Sequence, residues 1–230
     1  KIVNYGSLVR FSHTIFALPF AFMGAILAAR GVPAASILLW IVLAMVGARS
    51  GAMAMNRLAD QEIDARNPRT RERALPKGLV RRGEVVLLML GSFALFLFAA
   101  ARLNPLCLKL APFAMAVLIL YSYTKRFTFF SHLILGLALA MAPLGAWIAV
   151  TGEVAVAPVV LGLAVLFWVA GFDILYAMAD IDFDRASGLY SIPARFGAAS
   201  GMAISRTLHV LTLLLLLLLT FLLGLRPSYT

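Results

Sequence analysis

The sequence predicts an all-α fold, a polytopic bundle of transmembrane helices forming one domain over residues 1–230, around a central pocket open to the cytoplasmic side. Three observations predict it. Hydrophobic residues make up 63% of the chain and charged residues 13%, with a mean hydropathy of +0.96, whereas soluble domains run at about half apolar and about a quarter charged. The apolar residues gather into runs long enough to cross a bilayer. The Lys and Arg residues fall between those runs and favour alternate gaps, so the net charge of +10 reads as a topological bias and not as a nucleic-acid surface. The single cysteine, Cys107, excludes a disulfide framework and a cysteine-based metal cluster. Its apolar neighbours mark it as filler within a span.

A helical span needs about 20 mainly apolar residues to cross roughly 30 Å of hydrocarbon. Seven stretches qualify: Phe11 to Ala29, Ala35 to Leu58, Val85 to Ala101, Pro105 to Tyr123, His132 to Val150, Val156 to Ala179 and Ile204 to Leu225. Turn chemistry separates several of them, at Gly31-Val32-Pro33, Asn104-Pro105 and Thr151-Gly152, because Gly and Pro interrupt helices and Asn favours caps. The first run is too long for a signal-peptide core and lacks a small-residue cleavage pattern. With no initiator Met, the start of the natural chain is expected to be missing.

With the N-terminus inside, fifteen Lys and Arg residues fall on cytoplasmic segments and four outside (Arg30, Arg102, Lys109 and Arg226), while Arg49 lies within a span. Lys1 and Arg10 belong to the inside set. That asymmetry sets the orientation and predicts an integral protein of a prokaryotic inner or plasma membrane, with its active site facing the cytoplasm. Nine of the ten acidic residues fall on the same side, Glu153 being the exception. A positive-inside bias does not require this, so the acids point to a site.

Asn56, Asp60 and Asp64 recur every four residues at the end of the second run, which stacks them on one helix face with a drift of about 40° per step. Arg49 lies two turns earlier on the same stripe. Charged groups within a span are costly and usually face a polar cavity. Three oxygen donors at this spacing suit a hard cation such as Mg2+, which takes few carboxylates and completes its shell with phosphate and water. Asp173, Asp180 and Asp184 form a second row at the end of the sixth run if that helix continues, with Tyr176 beside them and Asp182 turned away. Both rows end spans running in the same direction, so they are expected to face one pocket. Solvated helix termini are the plainer reading of either row alone. Two opposed carboxylate rows would repel unless divalent metal and a diphosphate lay between them.

The basic stretch Arg66 to Gly78 follows the first row. Most of its charge serves topology, but Arg forks bind phosphate oxygens well, and Arg69 and Arg73 are placed to cover a phosphate held by Asp60 and Asp64. Lys125, after the fourth run, is a candidate diphosphate contact or a simple anchor. Phe11, Phe16, Phe20, Phe22, Trp147, Phe167, Trp168 and Phe172 are candidates for lining an isoprenoid slot, although packing explains most aromatics in spans.

Two patterns together resemble the UbiA superfamily of intramembrane prenyltransferases. One is Asn56-x-x-x-Asp60-x-x-x-Asp64 followed by Asn67-Pro68-Arg69-Thr70 and Arg73-Ala74-Leu75-Pro76. The other is Asp173-x-x-Tyr176-Ala177-x-x-Asp180-x-x-x-Asp184 ending in Ser191-Ile192-Pro193-Ala194-Arg195-Phe196-Gly197. The resemblance covers nearly the whole chain and is closest to the branch that prenylates 4-hydroxybenzoate or related aromatic acids in quinone (ubiquinone) biosynthesis. It implies a prenyl diphosphate donor, an aromatic acceptor and Mg2+ held by Asn56, Asp60, Asp64, Asp180 and Asp184. Arg49, Asn56, Arg69, Arg73 and Lys125 are then expected to contact substrate, with Asp173, Arg49 and Tyr176 as catalytic candidates. Position 57 is Arg where many members carry Asp. The family usually has nine spans against seven here, so the last two helices are expected to be absent from this chain.

Two other classes are predicted against. A proton-coupled transporter should place acids near the midplane and show an inverted repeat, and neither is visible. A phospholipid-forming phosphotransferase should carry its own acid-rich signature with Ala-Arg and Gly, which does not occur.

Overall fold

A computed structural model of the chain describes residues 11–224, with side chains described from Ala17 onward. Lys1, Arg10 and Arg226, counted above for orientation, and the Phe11 and Phe16 side chains lie outside what it describes. Among the described residues every element is helical: α1 (Phe11–Ala29), α2 (Ala35–Arg66), α3 (Arg82–Leu103), α4 (Pro105–Thr124), α5 (Ser131–Thr151), α6 (Val156–Ala177), a 3₁₀ turn (Met178–Asp180), α7 (Ile181–Ala186) and α8 (Ile192–Leu223). Six helical segments are long and apolar enough to cross a membrane, the fifth running Val156–Ala186 as one piece, and the described apolar part of α1, Ala17–Ala29, is shorter. The expected all-α membrane bundle is therefore what the chain forms.

The chain packs as two compact units. In the first, which holds α2, α3 and α4, α2 lies close against α3. Gly47 faces the Ser92 carbonyl, where an added Cβ would sit 2.7 Å from the oxygen, and Gly51 faces the Phe93 ring. At 32 residues, α2 is about 48 Å long and exceeds the roughly 30 Å hydrocarbon layer. Its last turns, which carry the Asn56 row, therefore continue past the apolar stretch. Pro68 ends the helix. The residue before a proline is driven out of the α region, and Asn67 adopts φ −83°, ψ 122°.

The second unit contains α5 to α8 and the part of α1 from Phe20. Small residues let its helices approach closely, the usual device where lipid removes the hydrophobic drive for helix association. A Cβ on Gly136 of α5 would collide with the Leu166 carbonyl oxygen of α6. Polar side chains then tie α8 to α6: the Ser205 hydroxyl donates to the Gly171 carbonyl at 2.8 Å and Thr212 donates to Ala164 at 3.3 Å. Trp147 packs against Ala157, Val160, Leu161 and Leu219, and Phe167 packs beside Ala170 and Ile174. Phe20, Trp168 and Phe172 form a run of ring contacts, with centroids 5.6 and 6.3 Å apart.

Of the helix limits that differ from those read in the sequence, two bear on the acids and the segment that follows them. The α-helical part of α6 stops at Ala177, and the 3₁₀ turn Met178–Asp180 intervenes before α7. With about 3.0 residues per turn in place of 3.6, that turn changes the direction of Asp180 and Asp184 relative to Asp173, so the three do not form the simple stripe of an unbroken helix. At the other limit, α8 begins twelve residues before the seventh apolar run and is interrupted at Gly197 (φ 84°, ψ 165°).

Candidate active site

In the first unit, the carboxylates of the Asn56 row are buried. Asp60 and Asp64 are only 2% and 4% exposed, so this row is not a solvated helix end. Asn56 Nδ2 donates to Asp60 Oδ2 at 3.2 Å, the contact that four-residue spacing creates. Asp64 meets cations. Arg73 Nη1 lies 2.7 Å from both Asp64 oxygens, and Arg57 Nη1 lies 3.7 Å from Oδ2. A buried carboxylate is tolerable only when compensated in this way.

The segment after α2 folds so as to deliver Arg73. The Asn67 side chain accepts from the Arg69 N–H at 2.8 Å, a local Asx turn. The Thr70 hydroxyl, itself buried, reaches back to the Asp64 carbonyl at 3.1 Å. Leu75 and Val80 then plug into an apolar cluster with Ala54 and Val85, which holds the loop down on α2. The stretch is therefore a folded cap and not a solvated run of charge. Arg69 contributes its backbone to the turn and lies exposed at the surface. Farther along, the exposed Glu72 is ion-paired with Lys77, whose hydrogen bond holds the Glu72 carboxyl below the usual range. Arg49 sits two turns before Asn56 in α2, partly buried.

In the second unit Asp173 and Asp184 have separate partners. Asp173 Oδ2 is 2.7 Å from His132 Nδ1 at the start of α5. Asp184 accepts from the Ser191 hydroxyl at 3.0 Å. Ser191 is also the N-cap of α8, accepting from the Ala194 N–H at 3.2 Å, so one residue fixes both the helix start and the carboxylate. Gly188 (φ 65°) makes this possible: it ends α7 in the left-handed conformation that a side chain disfavours, with the Leu189 N–H bonded to the Asp184 carbonyl at 2.9 Å. The Tyr190 N–H donates to the Lys125 carbonyl at 2.8 Å, and Arg195 stacks over Phe129 and Phe196. The segment Ser191 to Gly197 thus works as a clasp. Asp180 is partly buried, and Tyr176 is half exposed on α6.

Among the described residues, no three His, Cys, Asp or Glu side chains gather closely enough to hold a metal ion by themselves. What is present fits a cation that brings other ligands. The donors are hard oxygens, and Asp64 already grips positive charge through both of its oxygens, with a guanidinium standing where a cation would sit. Mg2+ needs only one or two protein carboxylates when substrate phosphate supplies the rest.

The family model of the UbiA prenyltransferases matches residues 17–230. The chain belongs to this family. A 4-hydroxybenzoate octaprenyltransferase of Vibrio campbellii is 34% identical over 218 residues, covering 93% of this chain and 72% of that protein. The apo structure of a UbiA homolog from Aeropyrum pernix K1 superposes with a TM-score of 0.87 at 37% identity, covering 94% and 81% of the two chains. A UbiA homolog from Archaeoglobus fulgidus, solved bound to GPP and Mg2+, shares the fold with a TM-score of 0.79 at 22% identity over 98% and 80%. This UbiA-family member is a membrane-embedded prenyltransferase.

Sequence reasoning missed two of the residues described above. Arg57, noted in the sequence only as a departure from the family pattern, faces Asp64. It lies seven residues before Asp64, the same two-turn spacing that drew attention to Arg49 ahead of Asn56. His132 was taken only as the start of a span, although an ionisable group bordering an apolar run is itself a signal of a site.

Proposed function

We propose that the enzyme transfers a prenyl group from a Mg2+-bound polyprenyl diphosphate to an aromatic acid, 4-hydroxybenzoate or a close relative, in quinone biosynthesis. The observation that carries this reading is the burial of Asp60 and Asp64, with Arg73 on Asp64, at the polar end of a membrane helix. Supporting it are the activity of the Vibrio campbellii relative and the GPP and Mg2+ of the Archaeoglobus fulgidus homolog. The Lys and Arg distribution supports a cytoplasmic site, and the bacterial relative supports an inner-membrane location.

In this reading Asn56, Asp60, Asp64, Asp180 and Asp184 hold Mg2+, which when bound supplies Lewis acidity that eases departure of the diphosphate. Arg69, Arg73 and Lys125 donate to the diphosphate oxygens and stabilise the charge that develops there. The allylic C–O bond breaks with its electron pair leaving on the diphosphate. The acceptor ring then supplies a π pair to form the new C–C bond, ortho to the phenol hydroxyl. Arg49 orients the acceptor by its carboxylate. Asp173, with Tyr176 one turn on, receives the ring proton, or steadies the cation before it is captured while the released diphosphate takes that proton.

The test is to incubate purified protein with Mg2+ and geranyl diphosphate against a panel of aromatic acids and identify the products by mass spectrometry. Prenylated 4-hydroxybenzoate is the expected product. Exclusive prenylation of a non-carboxylate acceptor would overturn the role given to Arg49, and an Asp60→Ala variant with full Mg2+-dependent turnover would overturn the metal assignment.

A further inference from the structure

His132 is 3% exposed, and both of its ring nitrogens are engaged. Nε2 faces the backbone N–H of Ile192 at 3.3 Å, and Nδ1 faces Asp173 Oδ2 at 2.7 Å. A backbone N–H can only donate, so Nε2 must carry the lone pair and Nδ1 the hydrogen. An N–H on Nε2 would point at the Ile192 N–H, so this contact selects the Nδ1–H tautomer. Ile192 is the first residue of α8, and its N–H is one of the donors that a helix start leaves without an intrahelical partner. One ring thus joins the beginnings of α5 and α8 to a carboxylate on α6. Among the described residues, the Asp173 carboxylate makes no other hydrogen bond.

We propose that His132 is the positioning residue for Asp173. The Ile192 N–H fixes the imidazole as the Nδ1–H tautomer. The ring then donates to Oδ2, holds the carboxylate turned to one rotamer, and leaves Oδ1 to meet the substrate. His132 itself neither touches the prenyl group nor carries the proton away. The inference rests on the role given to Asp173 above. It also selects a replacement. A glutamine amide presents one donor and one acceptor on neighbouring atoms and cannot titrate, so it can bridge Asp173 and Ile192 as the neutral ring does.

The experiment compares His132→Leu, His132→Gln, Asp173→Asn and His132→Leu/Asp173→Asn in nanodiscs, with geranyl diphosphate, Mg2+ and 4-hydroxybenzoate. His132→Leu is expected to lower kcat by roughly 10- to 100-fold, the usual cost of losing an orienting partner, with KM for both substrates little changed. His132→Gln should recover most of that loss, and the double variant should be no slower than Asp173→Asn. Full kcat in His132→Leu beside a crippled Asp173→Asn would overturn the positioning role alone. An active Asp173→Asn would instead overturn the role of Asp173. A folding readout independent of turnover comes from ¹⁵N-histidine NMR. The chain has three histidines, and His132→Gln identifies the signal to follow. A protonated Nδ1 and a bare Nε2 are expected in the unsubstituted protein, and the opposite tautomer or an imidazolium would refute the proposal even if His132→Leu does not fold.

Discussion

Replacing Arg73 with glutamine should strengthen the binding of a bare divalent cation while weakening the binding of the diphosphate. Arg73 Nη1 is 2.7 Å from both Asp64 oxygens, and the two side chains are 24% and 6% exposed. A metal approaching Asp64 must displace or share that contact. A hydrogen bond to a charged group is worth about 1.5–3 kcal/mol, and about 1.4 kcal/mol corresponds to tenfold in affinity. Removing the competitor should therefore tighten divalent binding by roughly 10- to 100-fold. Asp64 keeps Arg57 at 3.7 Å, so the substitution does not strip a buried carboxylate of all compensation and the fold should survive. The assay is titration of the purified protein with Mn2+, in the absence of diphosphate, following free Mn2+ by electron paramagnetic resonance. A second titration with geranyl diphosphate should show the opposite change if Arg73 donates to the phosphate as proposed. Unchanged or weaker Mn2+ binding in Arg73→Gln would refute the competition argument.

Three further outcomes are expected. Gly136→Val should lower the thermal midpoint in detergent by an amount equivalent to at least ~1–3 kcal/mol, the cost of overpacking, because its side chain meets the Leu166 carbonyl; Gly145→Ala, with open space around it, is the control that should not. Ser191→Ala should cost about 1 kcal/mol as a lost N-cap and raise KM for geranyl diphosphate more than KM for the acceptor, since the hydroxyl also holds Asp184; equal changes in both KM values would argue against that link. Removing divalent ions with a chelator should abolish turnover, with recovery on adding Mg2+, whereas persistent product formation would exclude the proposed metal role.

Much of this molecule was legible without coordinates because a bilayer imposes a one-dimensional rule. A run of about 20 apolar residues forms a helix, since no other local structure satisfies the backbone in hydrocarbon. The period of 3.6 then assigns faces. That reasoning found the spans and placed Asn56 beside Asp60; that Asp64, Arg73, Asp173 and Asp184 share one chemistry is part of the proposal. The same reasoning overextended α6, because hydropathy does not register a 3₁₀ turn at Met178–Asp180.

Helical periodicity says which way a side chain points but not what it meets, since the partner depends on how neighbouring helices are rotated and where the loops return. The contacts of His132 with Asp173 and with Ile192 join residues 41 and 60 positions apart, and no local pattern encodes them. Arg73 reaches Asp64 only because Pro68 stops α2 and the Asn67 and Thr70 side chains fold the segment back, under the grip of Leu75 and Val80. Composition and spacing therefore determined the membrane bundle and which acids lie at the ends of its helices. Tertiary structure decided which cations lie against Asp64 and which ring lies against Asp173, because those choices follow from close packing between segments and not from order along the chain.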